Sequence, residues 1–182
     1  MWRRLRLSVL SLCAAVVGCS SQPPRIPPVP RVDVPRFMGD WYVIAHIPTA
    51  KEKDAYDAVE SYALRKDGRI QTTFRYRDGS FDAPLDTLHP VGTVRDYGNG
   101  AIWDMQFVWP IQAEYVIVDL DPDYQRTIVG RSKRDYMWLM ARTPQISEQD
   151  YQAAMTRIAA LGYDLSQVRR VPQSAATDRS KP

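Results

Sequence analysis

Among the side chains of this 182-residue chain that could carry acid–base, nucleophilic or metal chemistry are two histidines, two cysteines and 21 acids, and their spacing argues against a catalytic centre. No metal-ligand pattern surrounds His46 or His89, and no Gly-x-Ser-x-Gly elbow presents a hydroxyl nucleophile. His46 reads as a strand surface residue and His89 as a rim or wall residue. Asp119 and Asp121 stand just before a turn, where solvated loop acids are the better reading than a general acid and base. Catalytic residues, metal ligands and cofactors are therefore not expected. Of the two cysteines, Cys13 lies inside an apolar N-terminal run and Cys19 stands just beyond it, after Gly18.

That run is a targeting signal. Arg3, Arg4 and Arg6 form a positive start, Leu7 to Val17 an apolar middle, and small residues precede Cys19, so residues 1–18 read as a signal peptide. Its 11 apolar-biased residues are too few to cross a bilayer, which takes about 20. Val16-Val17-Gly18-Cys19 resembles the bacterial lipobox. The resemblance implies diacylglyceryl transfer to the Cys19 sulfur, cleavage before it and acylation of the new amino group. Ser20, standing where an aspartate would retain the protein in the inner membrane, favours the outer membrane, with the chain facing the periplasm. An ordinary signal with a chance cysteine is the alternative.

Maturation on this reading leaves neither a free thiol nor a disulfide, so the fold must hold by packing alone. Loss of the three arginines also takes the net charge from +3 to zero, which leaves no electrostatic footprint for nucleic acid. Residues 20–35 contain six prolines, among them Pro23-Pro24 and Pro27-Pro28. With the lipidated Cys19 they predict an extended tether over 19–35, rising about 3.1 Å per residue. The polar tail, 173–182, is predicted to be disordered.

Residues 36–172 must then form the globular domain. Lys66-Asp67-Gly68-Arg69, Arg77-Asp78-Gly79-Ser80, Gly98-Asn99-Gly100 and Asp121-Pro122-Asp123-Tyr124 are turn chemistry between short β-branched or aromatic runs. Strands are predicted near 40–48, 58–66, 69–77, 86–96, 101–109, 114–120, 125–131 and 135–142. The fold class is all-β, an eight-stranded up-and-down antiparallel barrel that closes to remove its edges. One helix follows, capped by Ser147, stopped by Gly162 and striped by Tyr151, Met155 and Ile158, which suits packing on the outside of the barrel. Tyr163 to Val171 reads as an extended segment returning to the sheet edge. In 101–109 Trp103, Met105 and Phe107 share a large apolar face. In 135–142 both faces are apolar, so parity alone leaves open which one points inward.

Three short motifs stand in order along this body: Gly39-Asp40-Trp41, Asp121-Pro122-Asp123-Tyr124, and Arg142 at the end of Met140-Ala141-Arg142-Thr143-Pro144. With them, the chain resembles the lipocalins, and specifically the bacterial outer-membrane lipoprotein lipocalins, over roughly 35–172. The resemblance implies a calyx, closed at one end, that binds small hydrophobic molecules. Gly39, Trp41 and Arg142 would form the closed base, with the guanidinium stacked on the indole. Tyr62, Phe74, Val94, Trp103, Met105, Phe107, Tyr115, Tyr136, Trp138 and Met140 would line the cup, and each could equally be plain core. Glu60 shares strand parity with Tyr62. It is either a carboxylate inside an apolar cup, which needs a hydrogen bond or a ligand head group, or a rim glutamate in water. The implied partners are a fatty acid such as palmitate, or a lysophospholipid, and the membrane through the N-terminal lipid. A tethered structural barrel without a ligand is the second reading, and a lipid-modifying enzyme a third; oligomeric state is not legible.

Overall fold

Turns rich in glycine and aspartate divide the chain into strands that pair, each with the next, until the last meets the first. The computed structural model describes residues 24–50 and 52–174. The signal peptide, Cys19, the first residues of the predicted tether and the tail beyond 174 lie outside the described residues. The elements are α1 (Val34–Phe37), β1 (Gly39–Ile47), β2 (Ala55–Leu64), β3 (Ile70–Asp78), β4 (Leu85–Leu88), β5 (Val91–Val94), β6 (Ile102–Val108), β7 (Ile111–Leu120), β8 (Arg126–Gly130), β9 (Met137–Ala141), α2 (Glu148–Ala160) and β10 (Arg169–Arg170). Every pairing is antiparallel, and β9 returns to β1 to close the ring.

The closed barrel has eight staves because β4 and β5 form one of them. Sequence predicts a single strand over 86–96, whereas the stave breaks at His89-Pro90. Proline has no N–H to give the ladder, so β3 is held there by Thr72 N donating to Pro90 O at 3.0 Å. Both halves pair with β3, Phe74 opposite Leu88 and Ile70 opposite Gly92. The expected extended segment after the helix is mostly a 3-10 turn, Leu165–Gln167, ending in the two residues of β10. β10 lies against the second half of β1, Ala45 opposite Arg170, while β2 covers only the first half, Gly39 to Tyr42. The β1–β2 seam thus parts towards one end of the barrel and β10 fills it.

Two apolar clusters follow from strand alternation. Trp41, Val43, Tyr62, Phe74, Trp103, Tyr115 and Met140 belong to the interior. Ile44, Ala45, Val116, Val118, Met137, Leu139 and Ala141 face out beneath α2, whose Tyr151, Met155 and Ile158 are buried on them. This settles the ambiguous strand: in β9 Met140 and the partly buried Trp138 point in and Met137 and Leu139 point out. Ser147 caps α2 by accepting from Asp150 N at 3.0 Å, and Gly162, at φ +87°, takes the left-handed turn that ends it.

The predicted tether requires correction from Pro24 onward. Ile26, Val32 and Val34 are buried, and the segment runs along the barrel as a strap. Val29 N donates to Ile117 O at 2.9 Å and Val32 N to Asn99 O at 2.7 Å, while the Asn99 side-chain amide donates to Val29 O and Pro30 O. Apolar side chains spaced between the prolines give the strap a buried face, which composition alone conceals. At the other terminus Gln173 bridges Val43 O and Ala58 O, so the predicted disordered tail starts with an ordered residue.

Candidate functional site

The closed end is built on Gly39. Its φ of +95° suits glycine, and a Cβ there would stand 3.2 Å from Arg142 Nη1. The freed space admits the Arg142 guanidinium, 3.8 Å from the centroid of the Trp41 ring. The same guanidinium donates to Asp40 O, Phe37 O and Met38 O at 2.9–3.0 Å, tying the turn after α1 to the end of β9. Trp41 is fully enclosed and its indole N–H donates to Phe37 O at 2.8 Å. A cation with five donors is satisfied here by carbonyls and an aromatic face, so the base is sealed without a buried counter-ion.

Above the base lies a floor of rings. Phe37 packs 4.8 Å from Trp41 and 5.5 Å from Trp103, and Trp103 stacks on Tyr115 at 4.9 Å and 9°. The Tyr62 and Tyr115 hydroxyls meet at 2.8 Å. Burial, reinforced by the nearby Glu60 charge, raises both phenols well above their ordinary value, so they stay protonated.

Over this floor an apolar pocket opens towards the far end of the barrel. Of the predicted residues, Tyr62, Phe74, Met105, Phe107, Tyr115, Trp138 and Met140 line it. Three others sit elsewhere. Trp103 and Val94 are buried beneath, in the interior cluster. Tyr136 lies outside the pocket lining, before β9 begins, with the Arg131 guanidinium 4.9 Å over its ring. The pocket is nearly full of its own side chains: its free volume is about 20 Å³, room for about one water molecule. Two larger clefts, of about 170 and 410 Å³, lie on the outside of the barrel beside α2 and the strap.

The polar residues of the pocket are those that sequence reasoning placed least well. Glu60 faces in, opposite Phe74, and its Oε2 is enclosed without a hydrogen-bond partner. The rim-in-water alternative is thereby set aside. Burial, with the negative charge of Glu52 second, pushes its carboxyl from an ordinary 4.5 up to about 8, against a smaller pull from the Tyr62 hydroxyl. Glu52, from the β1–β2 loop, is 5% exposed and was not anticipated. It accepts from Thr49 Oγ1 at 2.7 Å and from Trp138 Nε1 at 2.9 Å. His46 is not on the surface as predicted; it is 2% exposed, with Nδ1 3.7 Å from Glu52. The reason is a bulge. Val43 opposes Met140 but Ala45 opposes Leu139, so one extra residue reverses β1 parity and turns His46 to the same side as its partner Trp138. His89 is exposed on the outer wall, its Nδ1 3.5 Å from Thr73 Oγ1. Among the described residues, no group of three or more His, Cys, Asp or Glu is placed to hold a metal ion.

A ring of eight antiparallel staves, sealed by an arginine-capped tryptophan at one end and opening onto an apolar pocket at the other, defines a calyx-type barrel. A family model described as a lipocalin-like domain matches residues 32–173, and the chain belongs to the lipocalin family. Among curated proteins it is 28% identical over 155 residues to temperature-induced lipocalin-1 of Arabidopsis thaliana, covering 79% of this chain and 80% of that protein. It is 29% identical over 164 residues to the outer membrane lipoprotein Blc of Escherichia coli K12, covering 87% and 90%. Among solved structures, insecticyanin from the tobacco hornworm Manduca sexta superposes with a TM-score of 0.66 at 13% identity, covering 84% of this chain and 87% of that one. That likeness speaks for the fold alone.

Proposed function

We propose that this lipocalin binds a small hydrophobic molecule at the open end of the barrel, as a binding protein rather than an enzyme, while anchored to the bacterial outer membrane by acylated Cys19 and facing the periplasm. The observation that carries the ligand reading is the apolar pocket over a sealed aromatic floor, with the orphaned Glu60 oxygen directed into it. Admission of an acyl chain requires Met105, Met140 and Phe107 to swing aside, and unbranched methionine side chains do so at small energetic cost. A fatty acid or lysophospholipid is the ligand class, with the chain in the pocket and the head at the rim. The names of the Escherichia coli relatives, outer membrane lipoproteins, support the envelope location.

The test is titration of delipidated protein with a fluorescent fatty-acid analogue and its displacement by lysophosphatidylcholine. Saturable binding, competed by the lysolipid and accompanied by a change in Trp138 emission, supports the reading. Absence of binding overturns it. A free volume of about 20 Å³ favours the second reading in that case, a tethered barrel whose interior is core.

A further inference from the structure

The strap has a direction. At one end Ile26 N donates to Ser132 Oγ and Arg134 Nη1 donates to Pro24 O. Both partners sit on the β8–β9 loop, at the open end where Phe107 and Trp138 line the pocket. At the other end Val32 N is held by Asn99 O and Asp33 N by the Tyr124 hydroxyl, beside the closed base. The N-terminal chain therefore leaves the described fold at the mouth.

Cys19 precedes Pro24 by five residues, which even fully extended span no more than about 18 Å. The staves are longer. β7 has 10 residues, which at about 3.3 Å each and the usual barrel tilt separate mouth from base by roughly 25 Å. A lipid on Cys19 holds the mouth, not the base, against the membrane.

A second feature, independent of the first, marks the same end. The tip of the β6–β7 hairpin, Phe107-Val108-Trp109-Pro110-Ile111, has five residues and no polar side chain. Phe107 is 51% exposed, Val108 67%, Trp109 81% and Ile111 71%. Phe81 and Leu85, flanking the β3–β4 turn at this end, are also exposed. Elsewhere among the described residues the exposed large apolar side chains, Leu64, Tyr97 and Leu165, stand singly, so a continuous exposed run crowned by tryptophan marks an interaction surface. Its chemistry, an indole with aliphatic neighbours and no charge, suits the bilayer interface.

We propose that the lipocalin docks mouth-down on a lipid bilayer, with the Phe107–Ile111 hairpin tip inserted into the interface beside the acylated N-terminus. The anchor half of this statement rests on the reading of Cys19 as lipidated; the tip half does not. The pocket then opens onto the head-group layer, so a ligand passes between membrane and barrel without crossing bulk water.

The experiment uses the mature protein, with the state of Cys19 read by mass spectrometry, on vesicles of phosphatidylethanolamine and phosphatidylglycerol (3:1) carrying dibrominated acyl chains. The expected result is quenching of the Trp109 share of the emission, lost in Trp109→Ser, while Trp41, Trp103 and Trp138 remain unquenched. An acylated protein that binds vesicles without tip quenching overturns the proposal, as does equal quenching in Trp109→Ser. If mass spectrometry finds Cys19 unmodified, the anchor reading fails, and partition of that unacylated protein judges the tip alone. A tenfold loss of vesicle binding in Val108→Ser/Ile111→Ser, with an unchanged circular dichroism spectrum, supports the docking face. Unchanged partition overturns it, as does a protein dimer broken by the same substitutions without any vesicle binding.

Discussion

In the unfolded chain Glu60 loses its proton near the ordinary value of 4.5, whereas in the barrel it holds it up to about 8. Between those values the folded state carries one proton more than the unfolded, so stability falls as pH rises through the window and is level on either side. Glu60→Gln, which cannot ionise, should flatten that slope and raise stability at pH 8–9 by on the order of 2 kcal/mol, after allowance for solvent reaching the pocket. Urea denaturation at pH 5 and pH 8.5 reads the difference directly; equal pH slopes in both proteins would count against a buried carboxyl. At the base, Trp41→Ala removes a wholly enclosed indole together with its contacts to Arg142 and Phe37. A loss of about 3–5 kcal/mol is expected by calorimetry or denaturant melts, the size seen for large aromatic deletions in cores. Gly39, Trp41 and Arg142 were legible only through the family resemblance, because Arg142 stands at the far end of the barrel sequence from Gly39-Asp40-Trp41 and no spacing joins them. His46 and Glu52 were not legible, since one depends on a bulge and the other on where a loop folds back.

The strands were legible as elements because turn residues punctuate them and side chains alternate, and the helix because its cap, stripe and stop agree. The strap was not. Proline content signals extended backbone, and extended backbone forms either a free tether or a chain laid on a surface; only the partners decide. Here the deciding partner is Asn99, in the β5–β6 turn, whose amide holds two strap carbonyls while its Oδ1 accepts from Ala101 N. Asn99→Ala should cost about 1–3 kcal/mol for the abandoned groups. Its more telling effect is local: trypsin should cut after Arg25 and Arg31 faster than in the wild type, with the barrel itself uncut. Unchanged cleavage would mean that apolar burial of Ile26 and Val32 suffices to hold the strap.

For the molecule as a whole, seven of the ten residues assigned to the cup line one pocket, yet its vacancy is that of a single water molecule. Alternation along a strand tells which side chains share a face, and says nothing of how far opposite walls stand apart. The interior of this barrel is therefore a volume in reserve. The parted β1–β2 seam shows where that reserve can be drawn on. β2 grips only the first half of β1, and the rest is held by two residues of β10, the Val171 N to Ile44 O bond and the Gln173 amide that bridges Val43 O and Ala58 O. So short a ladder opens at low free energy. In deuterium exchange the amides of Arg169 to Val171 should label well before those of Trp41 and Tyr42, and a bound ligand should slow them although it touches none of them. The wall that must give way for the barrel to fill is, on this account, the one written last in the chain.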